Sequence, residues 1–123
     1  MSNKELSIIH GIDLSEEQDI GTLTIHGWLQ DVCEKFSANE ALVFHEHGKR
    51  IVWTYKELWE NANSVAKSLI QLGISKGTRV GVMMTNRPEF LSSVWGIALA
   101  GGVAATISTF STADELEYLL AQS

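Results

Sequence analysis

The stretch RVGVMMTNRPEFLSSVWGIALAGGVAATIS, residues 79–108, decides the fold. Arg79 to Met84 is rich in strand formers. A run from Arg87 to about Gly101 follows, apolar on nearly every side through Phe90, Leu91, Val94, Trp95, Ile97, Ala98 and Leu99. Asn86 stands where an N-cap belongs, with Pro88 in the first turn and Glu89 three residues after the cap. Val103 to Ser108 returns to a strand pattern. Strand, helix and strand in this order predict a crossover unit with its two strands parallel. Two strands alone cover such an apolar helix poorly. The expectation is a chain that packs against sequence it does not contain.

Upstream, Thr54 with Glu57 three positions later forms a capping-box signature ahead of a long helix. That helix carries Leu58, Ala62, Val65, Leu69 and Leu72 at steps of four and three, and Gly73 is placed to take a left-handed C-cap conformation. Ala41 to Phe44 and Arg50 to Tyr55 flank the polar segment His45-Glu46-His47-Gly48-Lys49, which predicts a β-hairpin. Thr24 to Phe36 reads as a first helix, with Trp28, Val32 and Phe36 every four residues, Leu29 and Cys33 beside them, and Asp31 and Lys35 as an i,i+4 pair. Residues 1–23 form an acidic lead, with Ser15-Glu16-Glu17-Gln18-Asp19 read as solvated. Downstream, Thr112 and Glu115 repeat the cap signature, and Leu116, Leu119 and Leu120 give a last helix its apolar side. One cap device is therefore expected at three helix starts, each worth about 1 kcal/mol. The fold class is α/β: a hairpin, then a strand-helix-strand-helix unit whose final helix should feed another strand.

A chain of 123 residues fits one domain and can bury a sizeable core. Nine basic against fifteen acidic side chains give a net charge of -6. No basic stripe exists to meet phosphates, so nucleic acid is not the expected partner. A single cysteine, Cys33, excludes an internal disulfide and suits a reducing compartment. Its apolar spacing reads as a small core filler rather than a reactive thiol. The first twenty residues carry five acids and one lysine, unlike a secretory signal. Phe90 to Ile107 is interrupted by Ser92, Ser93, Gly96, Gly101, Gly102 and Thr106, which favours a buried helix and strand over a membrane span. The cytoplasm is the expected location.

Candidate chemistry is sparse. His45 and His47 are two apart and would face one side of an extended strand, but no third ligand is evident, so a wet hairpin turn is preferred to a metal site. His10 and His26 lack a supporting constellation. Thr106-Ile107-Ser108-Thr109-Phe110-Ser111-Thr112 is rich in hydroxyls and follows an apolar strand, where α/β proteins place ligand loops. Loop and cap satisfaction is the preferred reading, and lining a substrate or cofactor cleft is the alternative. Gly96 and Gly101-Gly102 lack a following Gly-Lys-Ser/Thr and form no P-loop; close helix packing and a helix stop explain them better. Trp53, Trp59 and Trp95 read as packing groups. Arg87 at a helix start suggests either an ion pair or a ligand contact.

The order of elements resembles the amino-terminal part of the adenylate-forming acyl-CoA synthetase, acyl/aryl ligase and luciferase superfamily, from about Thr24 onward. The strongest run is Trp53-Thr54-Tyr55-Lys56-Glu57-Leu58, followed by Ala62, Ala66, Leu69 and Gly73. Gly73 to Val80 is similar to the family's link into its first large-domain strand, with Thr78 where an aspartate is common. Asn86 with Glu89, Ala98 through Val103, and Phe110-Ser111 with Glu115-Leu116 and Leu119 complete the pattern. The resemblance implies that residues 24–123 are a partial amino-terminal domain that stops before the phosphate loop. It implies a parent enzyme that uses ATP and magnesium to convert a small carboxylic acid, fatty or otherwise apolar, to an acyl-adenylate, then transfers it to coenzyme A. The family's phosphate loop with lysine, its aromatic-Thr-Glu motif, its ribose-binding aspartate and its carboxy-terminal lysine have no counterpart here. Hence no catalytic, cofactor-binding or metal residue is carried across, the 123 residues alone are expected to be inactive, and no cofactor is expected on them. They are expected to self-associate or to pack against the rest of the parent. The alternative is a non-enzymatic scaffold or interaction domain built on the same partial fold.

Overall fold

The computed structural model describes residues 11–13, 15, 16 and 23–123. The acidic lead and His10 fall largely outside these residues. The observed order is α1 (Ile25–Lys35), β1 (Glu40–Glu46), β2 (Lys49–Thr54), α2 (Tyr55–Gln71), β3 (Arg79–Val82), α3 (Pro88–Leu99), β4 (Val103–Thr106) and α4 (Ala113–Gln122).

The hairpin is tighter than the polar segment suggests. β1 runs to Glu46 and only His47 and Gly48 turn, with φ of 50° and 78°. Two positive φ values in a two-residue loop match the twist of antiparallel strands. The left-handed backbone at His47 breaks the strand alternation, so His45 and His47 do not share an extended face as expected. A register shift between Glu40 and Leu42 turns both Ala41 and Leu42 inward, with Phe44 following. Ala41 and Leu42, with Trp53, Tyr55 and Trp59, pack on the buried trio Leu29, Cys33 and Leu58.

Capping explains two of the helix starts as expected. Thr54 Oγ1 accepts from Glu57 N–H, and Glu57 accepts from Thr54 N–H at 2.7 Å. Thr112 and Glu115 repeat the arrangement, with Thr112 N–H donating at 2.8 Å. The third start differs: the cap of α3 is Arg87, not Asn86, and it makes no side-chain cap bond. Pro88 at the first helical position pushes the residue before it into extended backbone, so Arg87 takes the cap place. Thr24 caps α1 instead, accepting from Gly27 N–H at 3.1 Å. Gly73 and Gly101, with φ of 90° and 80°, end α2 and α3 in the left-handed region.

Packing departs from the expected faces in α1, α2 and α4. In α1 the buried residues are Leu29 and Cys33, while Trp28 and Phe36 are 49% and 41% exposed. Trp28 lies instead on the flank of Trp95, ring centroids 6.2 Å apart. Asp31 and Lys35 form no ion pair among the described residues; Gln30 donates to Glu34 at 2.9 Å. Leu72 is exposed at the end of α2. No residue of α4 is buried.

β3 and β4 pair in parallel, Arg79 opposite Val103 and Val82 opposite Thr106, as the crossover unit requires. α3 covers one face of this sheet, where Val82 and Ile97 are both buried. α4 lies on the other: a methyl group at Gly81 would meet Leu120 Cδ2 at 3.4 Å. Helices on opposite faces make this a layered α/β arrangement. α2 packs on α3 at very short range, because a methyl group at Gly96 would stand 2.6 Å from Val65 Cβ and 2.8 Å from the Ala62 carbonyl oxygen. Among the described residues no helix is long and apolar enough to cross a membrane.

Candidate functional site

The carboxyl ends of β3 and β4 lie side by side, and the chain leaves them in opposite directions. Residues 83–87 carry it to α3 on one face, and residues 107–111 carry it towards α4 on the other. That divergence opens a crevice at the strand ends, the usual ligand position in open α/β sheets. The crevice holds about 440 Å³ and is lined by Met84, Thr85, Asn86, Phe90, Thr106, Ser108, Thr109 and Phe110. A larger hollow of about 630 Å³ lies beyond Phe110, against Asp114, Glu115 and Tyr118. It is the outer surface of α4, and Glu115 there is already committed to its cap. The strand-end crevice, where small polar groups converge, is the better candidate.

The hydroxyl-rich segment divides between its two expected roles. Ser108 Oγ accepts from Phe110 N–H at 3.2 Å, and the Ser108 carbonyl accepts from Ser111 N–H at 3.2 Å. Thr112 caps α4. Thr106 and Thr109, with Thr85 and Asn86 from the opposite loop, line the crevice and make no side-chain hydrogen bond to another described residue. Part of the segment thus builds the loop, and the rest offers donors and acceptors to whatever occupies the crevice.

Charge is placed elsewhere. Arg87 Nε donates to Glu89 Oε2 at 2.7 Å and its terminal nitrogen to Oε1 at 3.2 Å. The paired hydrogen bonds raise Arg87 and lower Glu89 from their ordinary values. The pair answers the question posed by a cation at a helix N-terminus: Glu89, in the first turn, offsets the unfavourable dipole contact. No lysine or arginine lines the crevice. A triphosphate there would meet hydroxyls and a side-chain amide but no cation, so these residues do not by themselves fit ATP and its magnesium. Among the described residues no group of three or more His, Cys, Asp or Glu side chains could hold a metal ion. His26, His45 and His47 stand apart from the crevice. Cys33 is 3% exposed, and burial pushes its thiol above the ordinary value, which suits a packing group.

One feature escaped the sequence reading. Asn86 and Phe90 also border an apolar hollow of about 330 Å³ between the hairpin and α3, with Leu42, Phe44 and Leu91. The inward alternation of Leu42 and Phe44 is the signal that could have found it. Only the docking of the hairpin on α3 reveals what those side chains face.

Residues 29–123 match the sequence profile of the family described as AMP-binding enzyme. The acyl-CoA ligase sidI of Aspergillus fumigatus is 35% identical over 115 residues, which cover 94% of this chain and 19% of that protein. Gramicidin S synthase 2 of Brevibacillus brevis is 32% identical over 97 residues, covering 79% of this chain and 2% of that protein. The structure of a Mycobacterium tuberculosis fatty acyl CoA synthetase superposes with a TM-score of 0.72 at 34% identity, over 80% of this chain and 19% of that one. The chain spans about a fifth of the length of the acyl-CoA ligases it matches.

Proposed function

The chain belongs to the AMP-binding enzyme family, and from that premise we propose that it is the amino-terminal scaffold of an ATP-dependent acyl-CoA ligase. The whole enzyme activates a carboxylic acid to an acyl-adenylate, releases pyrophosphate, and passes the acyl group to coenzyme A. The observation that carries this reading is the continuous family match from residue 29 to residue 123. Relatives named as acyl-CoA ligases at similar coverage support the same transfer partner. A fatty or other apolar acid is the substrate class, supported by relatives named for long-chain fatty acids. ATP, magnesium and coenzyme A are the cofactors and co-substrate of the whole enzyme. The acidic balance and the lone buried cysteine support the cytoplasm as its place.

The role of these 123 residues is architectural. They present the strand ends, set the divergence of the two loops, and supply Thr85, Asn86, Thr106 and Thr109 to the crevice between them. The cations that transferring phosphates require come from elsewhere in the enzyme. The test is product analysis by mass spectrometry. The polypeptide translated from the native coding sequence is incubated with ATP, magnesium, coenzyme A and equal amounts of fatty, aryl and amino acids. Fatty acyl-CoA is expected. Aminoacyl-adenylate without any acyl-CoA would move the chain to the peptide-synthetase branch, which the similarity to gramicidin S synthase 2 keeps in view. No adenylate with any acid would favour the alternative, a scaffold domain without catalysis.

A further inference from the structure

The hollow of about 330 Å³ between the hairpin and α3 is a cavity in its own right, sharing Asn86 and Phe90 with the crevice. Its walls are apolar: Leu42 and Phe44 from β1, and Pro88, Phe90 and Leu91 from α3. Polar side chains enter it only from Asn86 and Arg87, where the chain begins that helix. An apolar lining with a few polar groups is the general form of a small-ligand site, and such clefts run from about 300 to 1,000 Å³. One turn of helix with its side chains, about 10 Å across and 5.4 Å long, fills roughly 420 Å³. The hollow is sized for a small molecule and not for a helix.

Charge at the rim narrows the choice of occupant. Arg87 gives two hydrogen bonds to Glu89, and the carboxylate of Glu46 acts on the same guanidinium. One cation stands against two carboxylates, which leaves no spare positive charge for an anionic head group. A fatty acid, the substrate class of the proposed enzyme, is therefore unsuited to this hollow. An ammonium group would have to displace Arg87 from Glu89. Asn86 remains: its carboxamide makes no side-chain hydrogen bond to another described residue, and it offers both donors and an acceptor. We propose that the hollow binds an uncharged apolar molecule bearing one hydroxyl or amide group, with its apolar part between Leu42 and Leu91 and its polar group on Asn86. Removal of that apolar part from water drives the association, and Asn86 fixes its orientation.

The test is methyl-detected NMR of the polypeptide translated from the native coding sequence, titrated separately with 1-octanol, octanoate and octylammonium. Octanol is expected to shift the methyl resonances of Leu42 and Leu91 saturably and to show Overhauser contacts to both. Its affinity at these methyls should exceed that of octanoate by about tenfold. Glu89→Gln releases Arg87 from its pair, so octanoate should then gain about tenfold at the same methyls while octanol changes little. Absence of octanol contacts to Leu42 and Leu91 would overturn the site, including the case in which other sequence already fills the hollow. Octanoate or octylammonium binding there as tightly as octanol would overturn the ligand class, as would octanoate affinity unchanged by Glu89→Gln. Should that variant fail to fold, the comparison of the three probes on the parent protein still decides.

Discussion

Replacing Gly96 by alanine should destabilise the chain although alanine is the better helix former. The added methyl group would stand 2.6 Å from both Cβ and Cγ1 of Val65 and 2.8 Å from the Ala62 carbonyl oxygen. Two of these three neighbours, Val65 Cβ and the Ala62 carbonyl, are fixed to the α2 backbone, so a rotamer change does not relieve the clash. α2 and α3 must move apart, which opens space around Ala62, Ala66 and Ile97, all buried. Overpacking of this kind costs about 1–3 kcal/mol, and the backbone contacts put Gly96→Ala near the upper end. The helix-propensity gain of alanine over glycine returns about 1 kcal/mol. The net is a loss of about 2 kcal/mol, or a fall in Tm of roughly 10 °C for a domain of this size. Urea and thermal unfolding followed by far-UV circular dichroism would measure it. Adding Val65→Ala should restore little, because the Cβ and carbonyl contacts remain. A Gly96→Ala chain as stable as the parent, or more stable, would refute the close approach of the two helices.

Cap removal should cost about 1 kcal/mol at either Thr54 or Thr112, but with different reach. Thr54→Ala should lower global unfolding midpoints because α2 carries core residues, whereas Thr112→Ala should only speed amide exchange within α4, which buries none. Equal global losses from both would contradict the exposed state of α4. Acid should weaken both caps. The Thr54 and Thr112 amides hold Glu57 and Glu115 below their ordinary value of 4.5, so their stabilisation is present above that value and is lost as pH falls through the folded-state value. Glu57→Gln should flatten the acid limb of a pH series of melts, and an unchanged limb would count against the capping box. At the hairpin, His47 holds a φ of 50° that asparagine adopts more readily. His47→Asn should raise the melting temperature slightly, while Gly48→Ala, at a φ of 78°, should lower it; the opposite order would argue against the two-residue turn.

The elements that the sequence disclosed are those whose signals are local. Thr54 with Glu57, Thr112 with Glu115, and the glycines at 73 and 101 each act within one turn of helix, so their types and spacing suffice. Arg87 rather than Asn86 at the cap follows from the constraint that Pro88 places on its predecessor, a local rule that outranks side-chain preference. Burial is different. Trp28 and Phe36 share a stripe with Val32, yet Leu29 and Cys33 go inside, because the hairpin and α2 meet α1 one residue around from that stripe. The crevice was half legible. A run of hydroxyls after a strand marks the place, but only the fold separates Ser108 and Thr112, which hold the loop, from Thr106 and Thr109, which line the crevice.

The central claim, that these residues scaffold an acid-activating ligase without carrying its phosphate chemistry, meets its most direct test in one assay. Pyrophosphate release from ATP in the presence of fatty acid and magnesium should be measured for the purified 123-residue chain and for the polypeptide translated from the native coding sequence. Release by the longer polypeptide, and none by the 123 residues, is the predicted result. Turnover by the 123-residue chain that survives repeated purification would contradict the account, as would a longer polypeptide that releases no pyrophosphate with any acid.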